Sequence, residues 1–260
     1  MGKQWSNAPV FYTLAQVNFN PIAQLEEFIP KLQDQLRRNG YPDYRPEQKI
    51  EVTISKVDST EPNVLPQKML KWSFTNTERT EGYILQSDSL VYHSTEYEVF
   101  DDFLGKLIKG LELIHEAIDL AYVERIGLRY LDAVVPNEGE SINSYLAPSI
   151  LGMSGAMDEG LKHSFSETAV EKNGGMLIAR TVIVDGGLAM PPDLFPMQLN
   201  MPDKLIGITG RTAVMDSDYY VEGRFVFDLK KVEQQLNESH TIIGDMFRSS
   251  ITDHALNAWR

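Results

Sequence analysis

The sequence predicts an α+β fold, a mostly antiparallel sheet with two long helices packed on one face. Three observations predict it. Short runs that alternate apolar and polar residues recur, with turn-forming residues between them, as half-buried antiparallel strands require. Several segments switch to the 3.6-residue spacing of an amphipathic helix. No regular strand–helix–strand alternation argues for a parallel, doubly wound sheet.

The first strand is expected over Pro9 to Phe19, with Phe11, Thr13, Ala15, Val17 and Phe19 on one face. Asn20-Pro21 reads as an N-cap followed by proline at the first helical position. Ile22, Leu25, Ile29, Leu32 and Leu36 then recur at helical spacing, with Pro30 expected to kink the helix and Asn39-Gly40 to stop it. Lys49 to Val57 alternates through Ile50, Val52 and Ile54. Asp58 to Pro66 reads as a loop, and Lys68 to Thr75 carries Leu70, Trp72 and Phe74 on one face. Gly82 to Gln86 and Ser89 to His93 flank a hairpin turn at Ser87-Asp88. The clearest helix runs from about Glu98 to Leu120, its stripe formed by Phe100, Phe103, Leu104, Leu107, Leu111, Ile114 and Ile118. A long strand, Tyr122 to Val135, follows.

These elements make an N-terminal half, residues 1–135. Residues 136–160, rich in Gly, Ser and Asn, read as a connection holding one short helix near Ile142 to Leu151. The C-terminal half, 161–260, holds two expected hairpins. One pairs Lys162–Glu171 with Met176–Asp185 across Lys172-Asn173-Gly174-Gly175. The other pairs Leu205–Met215 with Tyr219–Phe227 across Asp216-Ser217-Asp218. Asp228 can cap a helix carrying Leu229, Val232 and Leu236, and a separate helix is expected from about Thr241 to Trp259. The halves share an order, strands and then a covering helix, which admits two similar halves within one compact domain.

A chain of 260 residues can bury a large core without staples. With no cysteine, thiol nucleophiles, thiolate metal sites and disulfides are excluded, which suits a reducing, cytoplasmic compartment. No apolar run is long enough to span a bilayer, and no secretory pattern is visible. Met1 to Ser6 matches the loose N-myristoylation pattern, but no polybasic patch follows it. The net charge of −13 sets a long-range disadvantage for nucleic acid and favours a basic protein partner.

The most informative stretch is Glu124-Arg125-Ile126-Gly127-Leu128-Arg129-Tyr130. In a strand, Arg125 and Arg129 project on one face with Gly127 between them, a spacing that can clamp an anion. The competing expectation pairs both arginines with acidic residues of neighbouring elements. Tyr130, Tyr92 and His93 complete the candidate ligand-binding set. Tyr92 to Glu98 also joins a strand to a helix, where Ser94 or Thr95 with Glu98 forms a capping box and His93 with Glu96 or Glu98 is the catalytic alternative. The five histidines lack zinc-helix spacing, so no metal and no cofactor is expected. Val184-Asp185-Gly186-Gly187 and Gly207 to Arg211 fit strand ends and bulges, not phosphate loops. Trp72 reads as core; Trp5 could stack a ligand, and Trp259 could do the same, dock back onto the sheet or meet a partner.

Asn7-Ala8-Pro9-Val10, Gln16-Val17-Asn18-Phe19-Asn20-Pro21, Trp72-Ser73-Phe74 and Glu124 to Tyr130 together resemble a sporadically distributed family of bacterial proteins of about this length. The likeness is clearer in the first half. It implies a bacterial, cytoplasmic protein, and scattered occurrence suits mobile, defence or toxin–antitoxin operons. It brings no activity, cofactor or catalytic residue with it.

The sequence therefore favours a non-catalytic protein-interaction or regulatory module, binding a basic partner or a copy of itself. The alternative is a sensor or enzyme for a small anionic ligand held by Arg125 and Arg129.

Overall fold

The computed structural model describes residues 7–55, 63–157, 159–195 and 197–260, with side chains for all of these except 49–55 and 63–69. Trp5, the Met1–Ser6 pattern, the end of the Lys49–Val57 strand and residues 58–62 of the expected Asp58–Pro66 loop fall outside the described residues, as do the side chains of Ile50, Val52 and Ile54; the rest of that loop, Asn63 to Pro66, is instead strand, paired with Ser55 to Val52.

The chain is α+β. Among the described residues, nine strands form one antiparallel sheet in the order β2-β3-β4-β5-β1-β6-β9-β8-β7. They are β1 (Val10–Phe19), β2 (Asp43–Ser55), β3 (Asn63–Thr75), β4 (Glu81–Gln86), β5 (Ser89–Ser94), β6 (Tyr122–Val134), β7 (His163–Lys172), β8 (Gly175–Asp185) and β9 (Arg211–Val226). The helices are α1 (Leu25–Arg38), α2 (Phe100–Ile118), α3 (Pro148–Leu151), α4 (Leu229–Ser250) and α5 (Asp253–Trp259). Outward from the central antiparallel pair β1–β6, a four-stranded meander, β5-β4-β3-β2, lies on one side and a three-stranded one, β9-β8-β7, on the other. Each meander is followed in the chain by a long helix, α2 or α4.

The layer of helices has three members rather than two. Leu25, Ile29, Leu32 and Leu36 of α1, the Phe100–Ile114 stripe of α2, and Val232, Leu236, Ile242 and Ile243 of α4 enter one core with Ala15, Val17, Phe19, Leu128 and Tyr130 of the central strands. Helix α1 begins later than its cap signal. Asn20 does not cap it, because its side chain instead accepts from the backbone N of Ala121 at 2.8 Å and so ties the end of β1 to the start of β6. The capping box at Ser94–Glu98 does not form either. Ser94 accepts from Glu96 N, Thr95 donates to Thr80 O, and α2 starts after Val99 with no side-chain cap.

Three further elements differ from expectation. Phe11 leaves the Ala15 face, since the ladder slips between Val10 and Tyr12 and delivers Phe11 to Leu131, Leu199 and Val214 on the opposite face. Helix α4 runs unbroken through His240 to Ser250; the break comes at Ile251-Thr252, where Thr252 caps α5 by accepting from Ala255 N. Most consequentially, Asp216-Ser217-Asp218 is not a turn. β9 is one strand of 16 residues that passes straight through it, paired with β6 on one side and β8 on the other. The β7–β8 hairpin forms where Asn173-Gly174 predicts it, both residues at positive φ. Trp72 is core, and Trp259 docks against Tyr145 and Phe247.

The sheet face away from the helices is covered by a strap, residues 186–210. Glycines at positive φ bracket it, Gly186 and Gly187 at one end and Gly207 and Gly210 at the other, and Gly186 N donates to Gly210 O at 2.8 Å. Leu188, Met190, Leu194, Leu199 and Met201 press it onto Phe11, Leu131 and Val214. Asn200 anchors it to the backbone of Glu78 and Arg79 in the β3–β4 turn. The two glycine-rich spots are thus the ends of this crossing.

Candidate functional site

Pleating decides which candidate residues can meet. On β6, residues 126, 128 and 130 point to the helices, so Arg125, Gly127 and Arg129 point to the strap. The ladder slips between Val123 and Arg125, which pushes Glu124 out to an ion pair with Arg224 rather than onto the helix face. On β5, His93 points to the strap and Tyr92 to the helices. The predicted set therefore divides: Arg125, Arg129 and His93 line one cleft of about 360 Å³ between sheet and strap, while Tyr92 and Tyr130 lie behind the sheet.

Arg129 is 8% exposed and fully engaged. Its Nε and Nη2 donate to the two carboxylate oxygens of Asp216 at 2.7 and 2.8 Å, a fork-to-carboxylate pair. Its Nη1 and Nη2 also reach Asp193 of the strap. Arg180 donates to Asp216 at 3.3 Å and to Glu167 at 2.6 Å. Burial works against the Arg129 charge, but the hydrogen bonds it donates to Asp216 and Asp193 outweigh it and hold the guanidinium protonated. The same bond to Arg129 holds the Asp193 carboxyl below its ordinary range. Arginines on either side of β9 are what allow Asp216 inside a strand. Asp216 and Asp193 in turn remove Arg129 from any anion clamp, as the competing expectation required.

Arg125 is different. Its guanidinium lies over the Tyr220 ring at 4.4 Å, and the nearest carboxylate oxygen is that of the exposed Glu222, 3.9 Å from Nε. Its Nη1 lies 3.2 Å from where a Cβ at residue 127 would stand, so the glycine lets the guanidinium lie close over the strand. The Asp218 side chain lines the same cleft with no hydrogen bond or ion pair to the described residues. Burial raises its carboxyl, with Arg129 and Arg125 pulling the other way.

His93 is buried, its Nδ1 2.9 Å from the Tyr12 hydroxyl and its Nε2 without a partner among the described residues. Burial, with the charge of Lys71, lowers its pKa to about 3, so the ring is neutral. Glu96 and Glu98 line a different hollow on the helix side, so the His93–Glu dyad is split by the sheet. Tyr92 donates to Glu81, which also accepts from Tyr41 and Lys106. The Tyr130 hydroxyl lies 3.0 Å from His240 Nδ1, and His240 stacks on Phe100. Both tyrosines act as buttresses between sheet and helices.

The residues missed from sequence are Tyr12 and Gln16 of β1, Asp193 of the strap, and Asp216 and Asp218. One signal was present for the last two: Ala213, Met215, Ser217, Tyr219 and Val221 alternate without interruption across the supposed turn. Among the described residues no group of His, Asp and Glu is arranged to hold a metal ion, and no helix is long and apolar enough to cross a membrane. Compared with family models and with curated proteins, the chain matches none.

Proposed function

We propose that this protein is a non-catalytic interaction or regulatory module of the cytoplasm, and that its outer strand β7 receives an extended segment of a basic protein partner. One observation carries the reading. β7 is a ten-residue edge strand, exposed along nearly its whole length, and large apolar side chains cluster on and beside it. Phe165 and Val170 stand on β7 itself, 59% and 45% exposed, with Met153 in the adjoining 3₁₀ segment and Met157 just after it. An uncovered edge offers backbone donors and acceptors, and flanking apolar side chains supply affinity. Glu167 and Glu171 on the same strand, with the overall charge of −13, favour a basic partner. The family resemblance supports the same reading, since scattered occurrence suits a partner or neutraliser within a mobile or defence operon.

Affinity capture from native cells should recover one stoichiometric basic protein. The double variant Phe165→Lys, Val170→Lys should lose it while keeping the wild-type melting temperature, because both side chains are exposed. Recovery of copies of this chain alone would replace the partner with self-association. Capture of nothing stoichiometric, or undiminished capture by the double variant, would overturn the proposal.

A further inference from the structure

The polar groups around the strapped cleft fall into two sets. Arg129, Asp193, Tyr12, Lys71 and Gln198 are satisfied within the protein: Gln198 accepts from Ser73 at 2.6 Å, and Lys71 lies 3.5 Å from Glu47. The second set is not satisfied. Among the described residues, the nearest carboxylate oxygen to Arg125 is 3.9 Å away at Nε, the side chains of Asp218 and Gln16 make no hydrogen bond, and His93 Nε2 is buried without a partner. Buried and half-buried polar groups are ordinarily paired, so a cleft that concentrates unpaired ones is built for something that brings the missing partners.

The unpaired charges are of opposite sign and stand on adjacent strands. Along the register Arg125 faces Glu222, Gly127 faces Tyr220 and Arg129 faces Asp218. The guanidinium of Arg125 folds over Gly127, toward the Asp218 end, and no side chain at 127 intervenes. The rest of the lining is hydrocarbon from Leu14, Ile84, Val91, Leu194 and Met197. A ligand complementary to these groups carries an anion, a cation close beside it and a short apolar tail. A volume of about 360 Å³ suits a small molecule. Polyanions such as nucleotides meet the charge of −13 and the carboxylates of Asp193 and Asp218, whereas a zwitterion adds no net charge.

We propose that the cleft binds a free α-amino acid with an apolar side chain, its carboxylate on Arg125 and its ammonium on Asp218, the side chain lying on Leu14, Ile84 and Val91. Gln16 and His93 Nε2 supply the remaining hydrogen bonds. This site is independent of the β7 edge and stands whether or not that edge has a partner.

Titration calorimetry of the full chain tests it with L-leucine, L-methionine and L-phenylalanine, each up to about 10 mM, enough to saturate a site of roughly 1 mM affinity. N-acetyl-L-leucine, L-leucinamide and octanoate serve as single-charge controls. At least one amino acid should bind at one site, and the single-charge analogues should bind about tenfold more weakly or not at all, each leaving one charged group unmatched. Arg125→Gln and Asp218→Asn should each weaken the amino acid by about tenfold. Neither substitution breaks a close ion pair, so the unliganded melting temperature should hold. Absence of binding by all three amino acids overturns the proposal. So does octanoate or N-acetyl-L-leucine binding as tightly as the amino acid, or wild-type affinity in both variants. The ligand series uses the wild-type chain alone and decides the matter even if a variant folds poorly.

Discussion

Arg129 holds together three stretches of chain, β6 through its own backbone, β9 through Asp216 and the strap through Asp193. Removing one partner of a buried ion pair strands the other, which typically costs about 3–5 kcal/mol. Arg129→Met should lose about that much in urea unfolding, and adding Asp216→Asn should restore part of it by removing the stranded carboxylate. A loss below about 1 kcal/mol would show the network to be marginal. Two other buried groups set opposite pH dependences. Burial raises the Asp132 carboxyl to about 7. Between about pH 4 and 7 the folded chain keeps a proton that the unfolded chain has lost, so stability falls as pH rises through that window, by about 4 kcal/mol, and is flat above it. His93, lowered to about 3, does the reverse: below about pH 6.5 the unfolded chain takes a proton the folded chain refuses, so stability falls as pH drops. Asp132→Asn should raise stability at pH 8 and abolish the first slope; His93→Gln should abolish the second. Urea midpoints from pH 4 to 8 measure both, and unchanged slopes in either variant would refute its assignment.

Within elements, position on a face outweighs residue type. Helix α2 holds two glycines with opposite expectations. A Cβ at Gly110 would stand 2.3 Å from Cε1 of Tyr83, a buried ring pinned by its hydroxyl to Lys106 O. Nothing lies within 4 Å of a Cβ at Gly105. Gly110→Ala should therefore destabilise by about 1–3 kcal/mol through overpacking. Gly105→Ala should stabilise by up to about 1 kcal/mol through helix propensity. Thermal melts of the two variants should move in opposite directions; movement in the same direction would mean that the Tyr83 contact does not govern the packing. β9 teaches the same lesson from the other side. Asp-Ser-Asp has turn chemistry in isolation, yet the strand continues because Arg129 and Arg180 meet Asp216 from the strands on either side.

At the scale of the whole molecule, one sheet runs from β2 to β7 and its centre, β1–β6, joins the two meanders. The expected boundary near residue 136 thus falls just after a strand bonded to both sides. Unfolding should be a single cooperative transition. Tryptophan fluorescence tests this with Trp72 or Trp259 retained alone: coincident urea midpoints are expected, and midpoints separated beyond error would mean that the halves unfold independently.

By itself the sequence determined the α+β class, the order of strands and helices in the described first half, and the β7–β8 hairpin. These follow from short-range signals: two- and 3.6-residue periodicity, and an Asn-Gly turn at positive φ. It also placed Arg125 and Arg129 on one face across Gly127. Only the tertiary structure decided that β9 is one strand, that the 186–210 strap closes the open face, that Tyr92 and Tyr130 stand behind the sheet, and that Arg129 is spent on Asp216 while Arg125 is not. The reason is distance along the chain. Whether a charged residue can sit inside a strand depends on a partner 87 residues away, and no local pattern carries that information.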